Sequence, residues 1–183
     1  MSINLEQLKF PIGQFQKPAS YSASRIHKWI NDIEEFPKKL KALTQELPSE
    51  ELNWKYRPNS WTIKQVVHHC ADSHMNSLIR FKLALTEEQP NIRPYFEDRW
   101  AELSDGVDNN IKHSLLLLTG LHQKWANLLR SLTKDKLDRT FTHPEHGQIF
   151  SLKENIGIYA WHCNHHLAHI EQALANQGNF NNT

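Results

Sequence analysis

Cysteine, net charge and long apolar runs are scarce in this 183-residue sequence, and each scarcity excludes a class of protein. Two cysteines are too few for a disulfide framework. A net charge of +1 gives no electrostatic basis for binding nucleic acid or an anionic membrane. No apolar run approaches the ~20 residues that span a bilayer, and residues 1–6 lack the basic and apolar regions of a secretory signal. We therefore expect a soluble, cytoplasmic protein with a small-molecule substrate and no nucleic-acid or membrane partner.

Histidine, by contrast, is abundant, with twelve residues in the chain. Its imidazole is the commonest side-chain metal ligand and titrates near neutral pH. Four histidines fall within eight residues: His162, His165, His166 and His169. This clustering makes a metal site the first functional hypothesis.

The histidine-rich stretch lies in a predicted helix. Apolar residues recur at intervals of three and four from Ile156 to Leu174. Ser151 followed by Glu154 has the spacing of a capping box, and Gly178 is typical of a residue just beyond a helix end.

The same periodicity predicts three earlier long helices, over about 22–47, 61–85 and 108–132. Pro37 is expected to kink or split the first of them. The candidate N-cap residues are Ser60 for the second helix and Asp108 for the third. Four long amphipathic helices predict an all-α four-helix bundle that forms a single domain over residues 1–183.

The segments between the helices carry their own predictions. Residues 1–20 contain Pro and Gly without a clear period and are interpreted as an N-terminal arm laid on the domain. Residues 87–107 form a crossover loop long enough to leave the flanking helices parallel. Residues 133–150 suggest a small hairpin or an irregular loop, with His143 and His146 solvated at its tip.

Helical geometry sorts the histidines of the last helix into two i, i+4 pairs, and such a pair can direct both rings at one ion. The pair His162/His166 borders the apolar stripe, whereas His165 faces away from it and His169 lies further round. The first pair is therefore the better candidate, although histidines without a metal at the edge of the core are an equal alternative.

The predicted second helix has three histidines, and its periodicity does not choose among them. His74 lies in the apolar stripe, as a core histidine would. His69 shares a polar stripe with Ser73, Asn76 and Arg80, which either faces solvent or lines a polar cleft. The third is His68. Cys70 and Cys163 lie on apolar stripes and are interpreted as buried core residues.

Four segments together resemble the DinB/YfiT-like superfamily. They are Trp61–Ser77, Arg80–Lys82, Ile92–Tyr95 and Tyr159–Ile170. The resemblance extends from the first helix to the last and is nearest the YfiT branch, whose members are described as metal-dependent hydrolases related to bacillithiol transferases.

This resemblance implies an up-down-down-up bundle, a homodimer and one divalent metal, nickel or zinc, held by three histidines. The matching positions are His69, eight residues after the motif tryptophan, and His162 with His166. His74 and His68 remain the alternatives on the second helix.

The implied chemistry is activation of a water or of a low-molecular-weight thiol by that metal. The expected function is therefore a metal-dependent hydrolase or a thiol S-transferase. The residues expected to bind substrate are Asn76, Arg80, Arg93 and Tyr95. The competing hypothesis is a helical metal-binding or scaffold protein without catalytic activity.

Overall fold

The computed structural model describes residues 4–145 and 147–180, so the prediction for His146 lies outside the described residues. It has eight helices and two strands within those ranges. Their bounds, in chain order, are α1 Leu5–Lys9, α2 Ala23–Thr44, α3 Ser49–Leu52, α4 Ile63–Thr86, α5 Glu97–Trp100, α6 Lys112–Arg130, α7 Lys134–Leu137, β1 Thr140–His143, β2 Gln148–Ser151 and α8 Leu152–Ala175. No helix in this part of the chain is long and apolar enough to cross a bilayer.

The four long helices, α2, α4, α6 and α8, form the predicted bundle. Helices α6 and α8 each pack against both α2 and α4, so α2 and α4 lie diagonally across the core. Asn155 at the start of α8 bonds to Ser77 in the second half of α4, which makes these helices antiparallel. His68 and Ser114, both near helix starts, are bonded to each other, which makes α4 and α6 parallel.

Helix α2 completes the topology. The last residue of α6, Arg130, bonds to Asn31 in the first half of α2, so these two helices are antiparallel. Trp29 of α2 lies against Gly157 near the start of α8, so α2 and α8 are parallel. The predicted up-down-down-up bundle is therefore confirmed, and the hairpin predicted as one alternative for residues 133–150 is present as β1 and β2.

Local sequence explains where the helices begin, with two corrections. Thr62, not Ser60, caps α4 in a full capping box with Gln65, while the Ser60 hydroxyl accepts from backbone N–H groups of the preceding turn. Asp108 caps a turn before α6 rather than the helix itself, by accepting from the N–H of Asn110. Ser151 does cap α8 by accepting from the N–H of Glu154, but the reciprocal side-chain bond of the predicted capping box is not made.

Pro37 does not split α2, which continues to Thr44. Its neighbours Ile33, Phe36 and Leu40 are fully buried, so tertiary packing holds the helix through the proline. Proline has no N–H, however, and the carbonyl of Ile33 therefore has no helical donor four residues later.

The N-terminal arm lies across α8 and contains the short helix α1. Gln172 donates to the carbonyl of Leu8 at 3.0 Å, and Trp161 donates to that of Gly13 at 3.0 Å. Lys17 pairs with Glu154 at 2.7 Å. The arm therefore covers one flank of the helix that has the histidine cluster.

The crossover loop is pinned to the hairpin. Backbone N–H groups of Ile92 and Thr142 donate to carbonyls on the opposite segment, at 3.0 and 2.9 Å. Strands β1 and β2 pair antiparallel, with Phe141 opposite Phe150. This contact places α5, in the middle of the loop, at the mouth of the bundle beside α4.

Gly157 allows close packing of α8 on α2. A Cβ there would lie 2.8 Å from the Trp29 ring, whereas one at Gly120 on the surface of α6 would meet nothing within 4 Å. We expect Gly157→Ala to lower the free energy of unfolding by about 1–3 kcal/mol through overpacking. Gly120→Ala should raise it by about 0.5–1 kcal/mol through helix propensity. Urea unfolding of both variants measures this, and equal effects of the two would contradict the packing argument.

Candidate metal centre

Three imidazoles meet where α4 crosses α8. The Nε2 atom of His162 lies 3.4 Å from that of His69 and 3.2 Å from that of His166. One ring nitrogen from each of the three lies within 4.8 Å of the others. His162 and His166 are one helical turn apart, and antiparallel packing supplies His69 from the opposite side.

These spacings fit a single small cation. Metal–imidazole bonds of about 2.0–2.1 Å at tetrahedral angles place neighbouring nitrogens about 3.3 Å apart. Nitrogen lone pairs that face each other at this separation repel unless a proton or a cation lies between them. Three converging nitrogens therefore match the donor set of a metal site that has a coordination position left for water.

Burial keeps the three rings neutral. Desolvation lowers the pKa of His69 to about 4. It also lowers the pKa values of His162 and His166 well below the ordinary value, and the neighbouring histidines reinforce the shift. A neutral imidazole is the form that ligates a metal, so no proton has to be displaced near pH 7.

The two alternative histidines of α4 lie elsewhere. His74 is fully buried behind His162, and its Nε2 lies 3.0 Å from Nδ1 of that ring. His68 faces α6, where it bonds to Ser114 and to the carbonyl of Asp108. The polar stripe that includes His69 is thus not a solvated surface at that residue, which is 6% exposed.

The second pair on α8 holds the N-terminal arm. His169 donates from Nε2 to the carbonyl of Lys9 at 3.1 Å and stacks on Tyr56. His165 stacks on Trp161 and contacts Phe10. The prediction that His165 faces away from the core was correct in direction, but the ring is buried because the arm covers it.

A cavity of about 540 Å³ reaches His162 from the hairpin side. Its wall is part apolar and part polar, with charged groups of both signs. The lining residues are Ser73, Arg80, Pro94, Tyr95, Phe96, Glu97, Asp98, Arg99, Phe141, His143, Glu145, Phe150, Asn155, Ile158, Tyr159 and His162.

A second cavity, of about 510 Å³, reaches the same three histidines from the side of the N-terminal arm. Lys9, Arg57 and Trp61 contribute to its wall. Glu97 and Asp98 of α5 border both cavities. Burial, with the nearby Asp98 and Glu145 charges, raises the pKa of Glu97 above its ordinary value. No spacing in the sequence singles out these carboxylates, because they are brought to the site by the docking of the loop.

The residues expected to bind substrate are only partly together. Arg80 and Tyr95 line the cavity beside His162. Asn76 bonds back to the carbonyl of Asp72 on its own helix, and Arg93 is exposed on the loop, so neither is among the described residues of this wall. His143, expected at a solvated tip, instead lines the cavity.

Cys70 and Cys163 are fully buried, which confirms the prediction of core cysteines. Burial raises the pKa of both thiols far above the ordinary value. Both therefore remain protonated at neutral pH and are unsuited to act as thiolate ligands.

Comparison with known proteins agrees with the fold. The profile of the DinB superfamily matches residues 32–170, which include all three converging rings. The chain belongs to the DinB superfamily. The suspected family resemblance is thereby confirmed.

Among DinB relatives, YfiT of Bacillus subtilis is 46% identical over 171 residues, covering 93% of this chain and 96% of YfiT. A protein of Oceanobacillus iheyensis is 52% identical over 162 residues, covering 88% and 93%. Both relatives are named as metal-dependent hydrolases whose activity has been inferred. The solved structure of YfiT, described as a probable metal-dependent hydrolase with an unusual four-helix bundle topology, superposes with a TM-score of 0.91. It is 46% identical and covers 94% of this chain and 98% of its own.

Buried neutral histidines make the metal-free protein sensitive to acid. Burial lowers the pKa of His122 in the core to about 4, whereas the unfolded chain binds that proton near pH 6.5. The unfolded state thus holds more protons between these values, so stability falls as the pH drops from 6.5 to 4. His122 alone accounts for up to about 3 kcal/mol, and His69 and His165 have similarly lowered pKa values. Urea unfolding at pH 7.5, 6.5, 5.5 and 4.5 measures the slope. A constant free energy of unfolding over this range would contradict the burial.

Proposed function

We propose that this protein is a metal-dependent hydrolase whose divalent ion, nickel or zinc, is held by His69, His162 and His166. The observation that carries the proposal is the convergence of three neutral Nε2 atoms at the spacing of metal ligands, next to a cavity large enough for a small molecule. When bound, a divalent ion lowers the pKa of a coordinated water toward neutrality and so supplies a nucleophile. The hydrolase names of the two relatives and of YfiT support the same activity.

The residues of the cavity have separate roles in this proposal. Arg80 lines the cavity that reaches His162, and its buried Nε has no hydrogen-bond partner in the described part of the chain. That group is available to an anionic substituent of the substrate. Glu97 and Asp98 border the cavity that the three histidines line, and their carboxylates can take up a proton during hydrolysis. Tyr95 lines the same cavity and is a substrate-binding candidate, as are Asn76 and Arg93 from the family resemblance.

Thiol S-transfer is the second candidate, and the two cavities favour it. Both reach His162, so two different molecules can approach the centre, one from the hairpin and one from the N-terminal arm. In that reaction a low-molecular-weight thiol would bind as the thiolate and attack an electrophile held in the other cavity. Screening esters, amides and electrophiles with and without thiols separates the two reactions, because only transfer has a rate that rises with thiol concentration.

We also propose that the protein is cytoplasmic and forms a homodimer, following the family resemblance. Light scattering of the purified protein tests the dimer independently of activity.

Metal content is the first test of the proposed centre. We expect roughly one nickel or zinc ion per chain in the wild-type protein and near none in His69→Ala or His166→Ala, because two imidazoles hold such an ion far more weakly than three. Elemental analysis after dialysis and metal titration gives the ratio. His165→Ala, one residue along the same helix, is the matched control and should retain the ion.

A wild-type protein that holds no transition metal, even after titration, would overturn the proposal. A protein that binds the ion but turns over none of the screened substrates would support the competing inactive metal-binding or scaffold function.

Arg80 provides a test of substrate class. For paired esters that differ by one carboxylate, Arg80→Gln should lower kcat/KM for the anionic ester about 10- to 100-fold, the loss of one charge-assisted hydrogen bond. The neutral ester should change little. Lys82→Gln, which removes a charge from the exposed side of the same helix, is the control. Equal losses on both esters would exclude an anion-binding role for Arg80.

A further inference from the structure

A chain of three histidines runs from the proposed metal centre into the core. Nδ1 of His162 lies 3.0 Å from Nε2 of His74, and Nδ1 of His74 lies 2.7 Å from Nε2 of His122. Nδ1 of His122 in turn bonds to the backbone carbonyl of Ile33 at 2.5 Å. The chain crosses from α8 through α4 and α6 to α2, so all four helices of the bundle contribute to it.

The far end of this chain sets the direction of its hydrogen bonds. A carbonyl oxygen only accepts, so Nδ1 of His122 has the proton. A neutral His122 then accepts at Nε2 from Nδ1 of His74. By the same rule, His74 accepts at Nε2 from Nδ1 of His162, and Nε2 of His162 is left with its lone pair directed at His69 and His166.

Metal ligation by His162, at the other end of the chain, requires the same direction of the hydrogen bonds. A neutral imidazole that ligates a metal through Nε2 has its one proton on Nδ1, which must donate to an acceptor. Both ends therefore agree on one tautomer for all three rings. Burial supports their neutrality, since it lowers the pKa of His122 to about 4 and that of His74 well below its ordinary value.

Proline explains why the acceptor at Ile33 is available. In an uninterrupted helix this carbonyl would accept from the N–H of residue 37, but Pro37 has none. Pro37 thus removes one hydrogen bond of α2 without breaking the helix, and it leaves the Ile33 carbonyl free to accept from His122 in the core. Phe36, one residue before Pro37, packs against the rings of both His74 and His122, with ring centroids 5.1 and 5.4 Å away. This contact restrains both rings from turning.

We propose that His74 and His122 are positioning residues for His162, which they hold in the tautomer and ring orientation that direct Nε2 at the ion. This positioning role rests on the proposed metal function. The hydrogen bonds among the three histidines, however, are present in the structure independently of that function. His166 differs, because its buried Nδ1 has no hydrogen-bond partner among the described residues. His162 is therefore the oriented ligand of the pair on α8.

The histidine chain ends at a neutral acceptor and not at a carboxylate. Ligand histidines in other proteins often donate to a carboxylate, which increases their basicity and adds negative charge beside the metal. Here the acceptors are neutral imidazoles and, finally, a carbonyl. A bound divalent ion would keep its positive charge nearly uncompensated by this ligand, which favours ionisation of a coordinated water.

The first test is the affinity for zinc, measured by competition with a chromophoric chelator. Breaking the bond to His162 in His74→Leu should weaken binding about 10- to 100-fold, the usual effect of losing the partner of a ligand histidine. His74→Gln, which restores an acceptor, should recover part of the loss. His68→Leu is the matched control, because it removes a buried histidine with two hydrogen bonds from the same helix without touching this chain. Equal affinities for His74→Leu and the wild type would overturn the proposal.

The second test needs no variant and no metal. Nitrogen-15 spectra of the metal-free protein should show His74, His122 and His162 all protonated at Nδ1. A scalar coupling across the short hydrogen bond from His74 to His122 should also be visible. Protonation of His74 or His162 at Nε2 instead would overturn the positioning role, even if zinc binds. Failure of zinc to bind while these tautomers are observed would count against the metal function and leave the hydrogen-bonded chain established.

Discussion

The burial of neutral imidazoles between antiparallel helices is the constraint on which the rest of this structure depends. Charged imidazole is costly to desolvate, so packing α4 against α8 selects the neutral form at His69, His162 and His166. Neutral rings expose lone pairs, and three lone pairs at one point repel each other unless a cation joins them. The same packing that stabilises the bundle thus creates three converging ring nitrogens that could hold a metal ion.

Hydrophobic packing alone does not orient such rings, and the structure solves this with hydrogen bonds from every layer of the bundle. The chain through His74 and His122 ends at a carbonyl that Pro37 leaves without a helical donor. A residue that lowers helix propensity in α2 therefore contributes to the hydrogen-bonded chain that reaches His162 on α8. Pro37 thus costs α2 one hydrogen bond but provides the acceptor for His122, and such local departures from ideal structure are common at functional sites.

Access to the centre comes from outside the bundle. The crossover loop and the hairpin form one cavity and the N-terminal arm helps to form the other, and both meet at His162. The second i, i+4 pair, His165 and His169, holds the arm in place. Two histidine pairs with the same spacing on one helix therefore have different surroundings, because different elements pack against each pair.

Sequence alone determined the four amphipathic helices, the cap at Ser151, the buried cysteines and the preference for the pair His162/His166, because these follow from periodicity and local hydrogen bonding. It left His69, His68 and His74 unresolved, since a helix of 24 residues presents several faces and only the partner helix decides which one meets the pair. The positions of Glu97 and His143 likewise depended on loop docking. Contacts between residues distant in the chain have no local signal, so only the tertiary structure decided them.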